Sequence, residues 1–214
     1  AVRLIAREAS QAEPGRRFRY SDLNFILLGR LVEMVAQQKL DLIVRERIFD
    51  PLGMENTAYL PPASWRSRIA PTENCPWRGR IIRGDVHDEG AAMMHYHSSN
   101  AGLFSTANDL AKLMQMYLNK GQYGGERYLR QVALREFTSC QYCDEGNERG
   151  LGFDRQRDNG NTARDASAAS FGHSGFTGTY AWVDPEYGLL YIFLSNRVYP
   201  SRRNTMLLKM NVRT

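Results

Sequence analysis

The sequence predicts an α+β fold in which helices come first and an antiparallel sheet follows. Apolar residues in the first half recur at steps of three and four, as on the buried face of a helix. The last third instead shows the alternation and the turn signals of a β-hairpin. The 214 residues, 43% of them hydrophobic, suffice for a packed core. We therefore expect a single domain over residues 1–214, with helices and loops over about residues 1–150 and the sheet over about residues 151–214.

The charged residues are spread evenly along the chain. Its 28 basic and 23 acidic side chains give a formal net charge of +5. They form no long block of lysine and arginine and do not alternate with aromatic residues, as in a nucleic-acid-binding groove. No apolar run approaches the length of about 18 residues that a membrane-spanning helix needs. We expect a soluble chain with no nucleic-acid partner and no membrane span.

The first helices are predicted by their start and stop signals. Ser21 and Asp22 can each cap the start of a helix with a side-chain oxygen. A second amphipathic helix over residues 40–49 ends at the proline and glycine that follow Asp50. The apolar residues of the first helix form a stripe broad enough to be buried against a core: Leu23, Ile26, Leu27, Leu31, Met34 and Val35.

The middle of the chain alternates between loop and helix. Residues 59–90 are rich in proline, arginine and glycine, so we expect a long loop with one or two short strands that forms a wall of a binding cleft. Thr106 and Asp109 form a capping signature for a helix that continues to Leu118. A further short helix is expected over residues 129–137.

Three antiparallel strands are predicted near the C-terminus. Residues 170–175 form the first strand. Residues 179–183 and 189–194 form a hairpin around the turn that begins at Asp184. These strands supply the sheet of the predicted fold.

Ser174 lies in a stretch that resembles a nucleophile elbow. The elbow pattern G-x-S-x-G requires a glycine two residues after the serine, where this chain has Phe176. It also requires a helix after the serine, where this chain has strand-like residues. Ser174 is therefore not predicted to be a nucleophile.

Cys140 and Cys143 form the one closely spaced pair among the three cysteines. A C-x-x-C motif could be half of a zinc site, completed by His95, His97 and His87, or it could be two ordinary thiols. The spacing fits no familiar zinc site, so we expect no metal and no other cofactor.

Four stretches of the chain carry recognisable motifs. Residues 13–29 contain Tyr20-Ser-Asp22 before a helix, and residues 171–178 contain His173-Ser-Gly175, with residues 51–57 and 86–106 between them. In this order they resemble motifs of the serine β-lactamase and penicillin-binding protein family, which includes esterases related to class C β-lactamases. The first resembles the family's Tyr-x-Asn motif, and the last its Lys-Thr-Gly or His-Ser-Gly motif.

The resemblance implies a β-lactamase/transpeptidase-like fold, in which helices flank an antiparallel sheet, and chemistry through an acyl-enzyme. The family's nucleophile belongs to a Ser-x-x-Lys motif, and no serine of this chain is followed by lysine three positions later. We therefore expect the nucleophile and the N-terminal strands to precede residue 1. On this interpretation the chain is the C-terminal portion of a domain and is inactive alone.

The resemblance also implies a role for three ionisable side chains. Tyr20 would help to move the proton of the serine. The alternative is a structural role, in which the Tyr20 ring only anchors the start of the helix. Asp22 stands where many members carry asparagine, and a carboxylate only accepts hydrogen bonds; a helix cap would explain it equally. His173 replaces lysine by an imidazole that is only partly protonated at neutral pH.

Three further residues are implied in substrate binding. Ser174 and Gly175 would lie on the strand that lines the site, where glycine lets the substrate approach the backbone closely. The backbone N–H of Phe176 corresponds to one donor of the family's oxyanion hole. The family offers no role for His87, His95 or His97, which we expect to be loop residues.

Three functions remain open from the sequence. The first is a serine acyl-hydrolase for an ester, a D-amino-acid peptide or a β-lactam, with esters and small amides favoured by His173 and Asp22. The second is a non-catalytic module of the same fold that holds cell-wall or glycan ligands, fused in some proteins to a glycoside hydrolase. The third is the zinc protein. By analogy with the family, we expect a periplasmic or extracellular location.

Overall fold

A computed structural model of the chain describes residues 2–95, 98–157, 160 and 162–210. Most elements of the first half are helices, with one short hairpin among them. No helix within these ranges is long and apolar enough to cross a bilayer. The elements of this half are α1 (Val2–Ile5), α2 (Asp22–Ala36), α3 (Leu40–Val44), a π-helical turn (Arg45–Phe49), a 3₁₀-helix (Ala63–Arg68), β1 (Glu73–Cys75), β2 (Arg80–Ile82), α4 (Glu89–Met93) and α5 (Ala107–Leu118).

The second half supplies the main sheet. Its elements are β3 (Gln122–Tyr123), β4 (Glu126–Arg127), α6 (Gln131–Thr138), a 3₁₀ turn (Cys143–Glu145), β5 (Asp154–Arg155), β6 (Phe171–Ser174), β7 (Tyr180–Asp184), β8 (Leu189–Phe193) and α7 (Met206–Lys209). The predicted α+β class is confirmed, but the order of elements is more mixed than predicted, because the β1–β2 and β3–β4 hairpins lie among the helices and α7 follows β8.

The predicted start of α2 is confirmed, but the predicted burial of its stripe is wrong. The Ser21 hydroxyl accepts a hydrogen bond from the Asn24 N–H at 3.4 Å. Only Ile26 and Gly29 of the helix are buried, whereas Val35, for example, is 79% exposed. The reason is that α2 contacts α1 and α3, and the described residues cover only the side that carries Ile26 and Gly29.

Helix α5 connects the two halves of the core. It begins where the sequence predicts, because the Thr106 hydroxyl accepts a hydrogen bond from the Asp109 N–H at 3.3 Å. Met114 packs with Phe171 and Val183 of the sheet. Met116 belongs to a second apolar cluster, formed with Phe49, Leu52 and Met54. The helix therefore holds the sheet against the segment around residues 49–54.

The sheet is antiparallel and follows the chain order β5-β6-β7-β8. His173 of β6 pairs with Ala181 of β7, and Val183 of β7 pairs with Leu190 of β8. The three predicted strands are confirmed. The fourth strand, β5, and the β3–β4 hairpin are additions to the prediction, since strands of two residues are too short to show an alternating pattern.

Candidate active site

Two aromatic rings from distant parts of the chain lie side by side. The ring centroids of Tyr20 and His173 are 6.2 Å apart, and the ring planes are inclined by 31°. Tyr20 directly precedes Ser21, the N-cap of α2, and His173 lies within β6. The start of one helix and an inner strand of the sheet therefore meet at a common site.

Arg149 joins these two rings and was not predicted from the sequence. Its Nη2 atom lies 3.1 Å from Nε2 of His173, and its guanidinium carbon lies 5.6 Å from the centroid of the Tyr20 ring. Its Nη1 atom pairs with Asp154, and the side chain is 11% exposed. Arg149 precedes β5, and β5 pairs with β6, which places the guanidinium beside His173. No motif surrounds Arg149, so its only sequence signal is a position shortly before a strand.

The hydrogen bonds of His173 define its tautomer. Its Nδ1 lies 2.8 Å from the carbonyl oxygen of Ser174, which can only accept, so Nδ1 carries the proton. The Arg149 guanidinium can only donate, so Nε2 is the acceptor. Arg149 therefore places a permanently charged donor at the edge of the imidazole.

The environment of Tyr20 favours the protonated phenol. Partial burial raises the pKa of Tyr20, and the carboxylates of Asp22 and Asp154 raise it further, whereas the nearby Arg149 opposes the shift. The side chain nevertheless remains 58% exposed, so a ligand can reach it. A protonated phenol beside a fixed cation can release and recover a proton.

Asp22 is the first residue of α2, one position after the cap. Burial raises the pKa of its carboxyl group, and the carboxylate of Asp88 raises it further. Since the Ser21 hydroxyl makes the capping hydrogen bond, capping does not require the Asp22 side chain. A carboxylate in the first turn still interacts favourably with the helix dipole.

The residues after His173 form a tight turn between β6 and β7. The Gly175 N–H donates to the carbonyl oxygen of Thr179 at 2.7 Å, and the Gly178 N–H donates to that of Gly175 at 3.0 Å. Within the described ranges, the Phe176 N–H has no hydrogen-bond partner, as an oxyanion donor requires. A Cβ on Gly175 would collide with the Thr179 hydroxyl, so the turn itself also requires glycine there.

His87 lies in the loop between β2 and α4, as expected from the sequence, but its side chain is buried. Its Nε2 atom lies 3.0 Å from a carboxylate oxygen of Glu73, and both side chains are almost completely buried. Its ring stacks on Phe176 with 5.7 Å between the centroids. The sequence signal that was missed is the acidic partner Glu73, which lies in β1, 14 positions before His87.

Cys140 and Cys143 form a disulfide bond, so neither sulfur is a thiolate ligand or an ordinary thiol. His95 is described and has a positive φ of 63°, whereas His97 lies outside the described residues. No cluster of His, Cys, Asp and Glu that could hold a metal ion occurs in the part of the chain that the structure describes. Both alternatives that the sequence left open for Cys140 and Cys143, half of a zinc site and two ordinary thiols, are therefore wrong.

A family model with the description Beta-lactamase matches residues 1–210 of the chain. A protein of Escherichia coli K12, provisionally named D-alanyl-D-alanine carboxypeptidase, is 36% identical over 92% of this chain and 49% of its own length. A protein of Salmonella enteritidis with the same provisional name is 32% identical over the same shares. The chain thus spans about half the length of the curated relatives it matches.

Solved structures share the fold at low identity. EstCE1, a hydrolase with promiscuous acyltransferase activity, superposes with a TM-score of 0.67 at 21% identity, over 99% of this chain and 60% of that one. A beta-lactamase from Mycobacterium bovis gives a TM-score of 0.64, also at 21% identity, over 94% of this chain and 67% of that one. The β-lactamase/transpeptidase-like architecture predicted from the sequence is confirmed.

Proposed function

The chain belongs to the beta-lactamase family, and from this premise we propose that it forms part of the active site of a serine acyl-hydrolase. The nucleophile is the serine of a Ser-x-x-Lys motif that precedes residue 1. Its oxygen attacks the carbonyl carbon of the substrate, the alcohol or amine leaves with a proton, and water releases the acyl group as an acid. The convergence of Tyr20, Arg149 and His173 carries this proposal.

Tyr20 passes the proton between the serine and the leaving group. Its phenol is protonated at rest, because burial raises its pKa. The guanidinium of Arg149, 5.6 Å from the ring centroid, lowers the free energy of the phenolate that forms when the proton moves away. Arg149 thereby provides the positive charge that proton transfer through a phenol requires.

The turn after β6 binds the reacting carbonyl. The Phe176 N–H, which no described residue occupies, donates to the oxygen of the tetrahedral intermediate. Ser174 and Gly175 line the approach of the substrate. Asp22 accepts a hydrogen bond from a donor group of the substrate, since a carboxylate cannot donate.

The substrates that we propose are simple esters and peptides that end in D-alanine, as in peptidoglycan. The names of the bacterial relatives support the peptides, and the fold shared with a family VIII carboxylesterase is compatible with the esters. A peptidoglycan substrate places the protein in the periplasm or outside the cell. Arg149 supplies a cation that can attract the terminal carboxylate of such a peptide.

Ester turnover by the full-length protein tests this function. We expect hydrolysis of a nitrophenyl ester and a loss of kcat of at least about tenfold in Tyr20→Phe, because phenylalanine has no hydroxyl group to accept and return the proton. Tyr187→Phe is the matched control, since Tyr187 is 59% exposed in the β7–β8 turn, much as Tyr20 is 58% exposed. Release of D-alanine from a peptide, measured in the same variants, separates the two substrate classes.

One result would reject the hydrolase, and another would reject only the role given to Tyr20. One is absence of turnover in the full-length protein, which would favour the non-catalytic cell-wall or glycan-binding module. The other is unchanged turnover in Tyr20→Phe, which would remove the phenol from proton transfer.

A further inference from the structure

The side chain of Phe176 lies between two groups from other parts of the chain. The ring of His87 stacks on it with 5.7 Å between centroids and 24° between planes. The guanidinium carbon of Arg197 lies 4.6 Å from the ring centroid. A ring that is 60% exposed is thus held by contacts on the ring itself rather than by burial.

The backbone of the same turn is fixed on both sides of Phe176. The Gly175 N–H donates to the Thr179 carbonyl, and the Ser195 hydroxyl donates to the Gly178 carbonyl at 2.7 Å. The Phe176 N–H itself makes no hydrogen bond to a described residue. Its orientation therefore depends on the ring contacts and on the flanking glycines.

The position of the His87 ring is strongly constrained. Its Nε2–H donates to Glu73 at 3.0 Å, because a carboxylate can only accept. The guanidinium of Arg78 donates to the carbonyl oxygens of Val86 at 2.7 Å and of His87 at 3.4 Å. Both the ring and the backbone of His87 are therefore fixed.

The carboxylate that orients His87 is itself held by Arg202. The guanidinium of Arg202 contacts both oxygens of Glu73 at 2.7–3.0 Å, and the Arg202 N–H adds a bond of 3.0 Å. These bonds lower the pKa of Glu73 to about 2. Glu73 remains an anion at neutral pH, so the acceptor for His87 persists.

We propose that His87 is a positioning residue for the oxyanion donor: its ring, oriented by Glu73, holds the Phe176 ring and so aims the Phe176 N–H into the site. This inference rests on the proposed acyl-hydrolase function. His87 itself does not contact the reacting atoms. Its effect on catalysis passes through the ring contact, so the shape of residue 87 matters more than its proton.

Two variants of the full-length protein separate the ring from the hydrogen bond. His87→Gln keeps a donor for Glu73 but removes the aromatic face, whereas His87→Phe keeps the face and removes the donor. We expect kcat for a nitrophenyl ester to fall about tenfold in His87→Gln, less than loss of an oxyanion donor would cost, with KM little changed. In His87→Phe we expect kcat within about threefold of wild type, even where its melting temperature falls because Glu73 loses one of its hydrogen bonds.

The inhibition constant of a boronic acid is a second measurement, and a change in protein stability alone does not alter it. Phenylboronic acid forms a tetrahedral adduct with serine hydrolases, so its inhibition constant should rise in His87→Gln by about the same factor as kcat falls. Crystal structures of both variants should show the Phe176 ring displaced in His87→Gln and retained in His87→Phe. Equal kcat in His87→Gln and wild type, or an unmoved Phe176 ring, would overturn the inference.

The same experiments distinguish failure of the inference from failure of the function. If the wild-type protein neither hydrolyses the ester nor binds the boronic acid, the proposed function fails, and the catalytic part of the inference fails with it. If the wild type is active and only the His87 variants behave otherwise than expected, the inference alone is overturned.

Discussion

At the scale of single residues, Arg149 places a permanent positive charge between Tyr20 and His173. The guanidinium contacts the Tyr20 ring, Nε2 of His173 and the carboxylate of Asp154. A planar fork with donors in several directions can do this, whereas a lysine ammonium is a compact point charge. Arg149 therefore both charges and orders the site.

Replacing Arg149 should impair proton transfer through Tyr20. In the full-length protein, Arg149→Met should lower kcat/KM for the nitrophenyl ester at least about tenfold, because a charge-assisted contact is lost. Since Arg149 lowers the pKa of Tyr20, the limb of the pH–rate profile that belongs to the phenol should shift to higher pH. Arg149→Lys should retain part of the rate.

The control for this variant is Arg130→Met, an exposed arginine before α6. It should leave both the rate and the pH profile unchanged. A pH profile that is identical in Arg149→Met and wild type would show that the guanidinium does not act on the phenol.

The sequence predicted Tyr20 and His173 as site residues but not Arg149, and the difference has a physical cause. The two rings lie in short motifs whose neighbours, such as Ser21 and Gly175, have local roles in capping and turning the chain. Arg149 lies in a polar loop where charged residues are common. It lies beside His173 only because β5 pairs with β6, and this pairing cannot be predicted from the residues around Arg149.

At the scale of elements, helix starts were predictable because a cap is a local interaction. Ser21 and Thr106 each accept a hydrogen bond from the N–H three residues later. The tie between β1 and the segment after β8 was not predictable, since it joins Glu73 to Arg202 across most of the chain. Arg202 also bonds Glu89 of α4 at 2.6 Å, so one guanidinium connects three parts of the fold.

This tie should make stability depend on pH in acid. The pKa of Glu73 is about 2 in the folded chain against 4.5 for the free group, so its ionised form stabilises the fold above pH 4.5 and the effect is lost as the pH falls towards 2. The shift corresponds to about 3 kcal/mol. Urea unfolding of the full-length protein should show a smaller loss of stability between about pH 5 and pH 2 in Glu73→Gln than in wild type.

Glu73→Gln should also be less stable at neutral pH, because Arg202 loses its buried partner. Glu126→Gln, at an exposed position in β4, controls for the removal of a carboxylate and should follow the wild type. Parallel acid titrations of Glu73→Gln and wild type would contradict the assigned role of this ion pair.

At the scale of the whole molecule, Tyr20 and His173 meet because the first helices and the last strands are brought together around α5. The predicted α+β arrangement is therefore sufficient to anticipate the general architecture. Which elements cover the apolar face of α2 could not be predicted from the sequence. A helical period identifies an apolar face, as in Leu31, Met34 and Val35, but it does not specify what covers that face.

The convergence of Tyr20 and His173 is tested most directly by a double-mutant cycle in the full-length protein. The measured quantity is kcat/KM for the nitrophenyl ester in Tyr20→Phe, His173→Gln and the double variant. Because both rings contact Arg149, the double variant should retain at least about fivefold more activity than the product of the single losses predicts, a coupling of about 1 kcal/mol. Losses that multiply to within about twofold would mean that the two residues act independently, and would contradict a shared site.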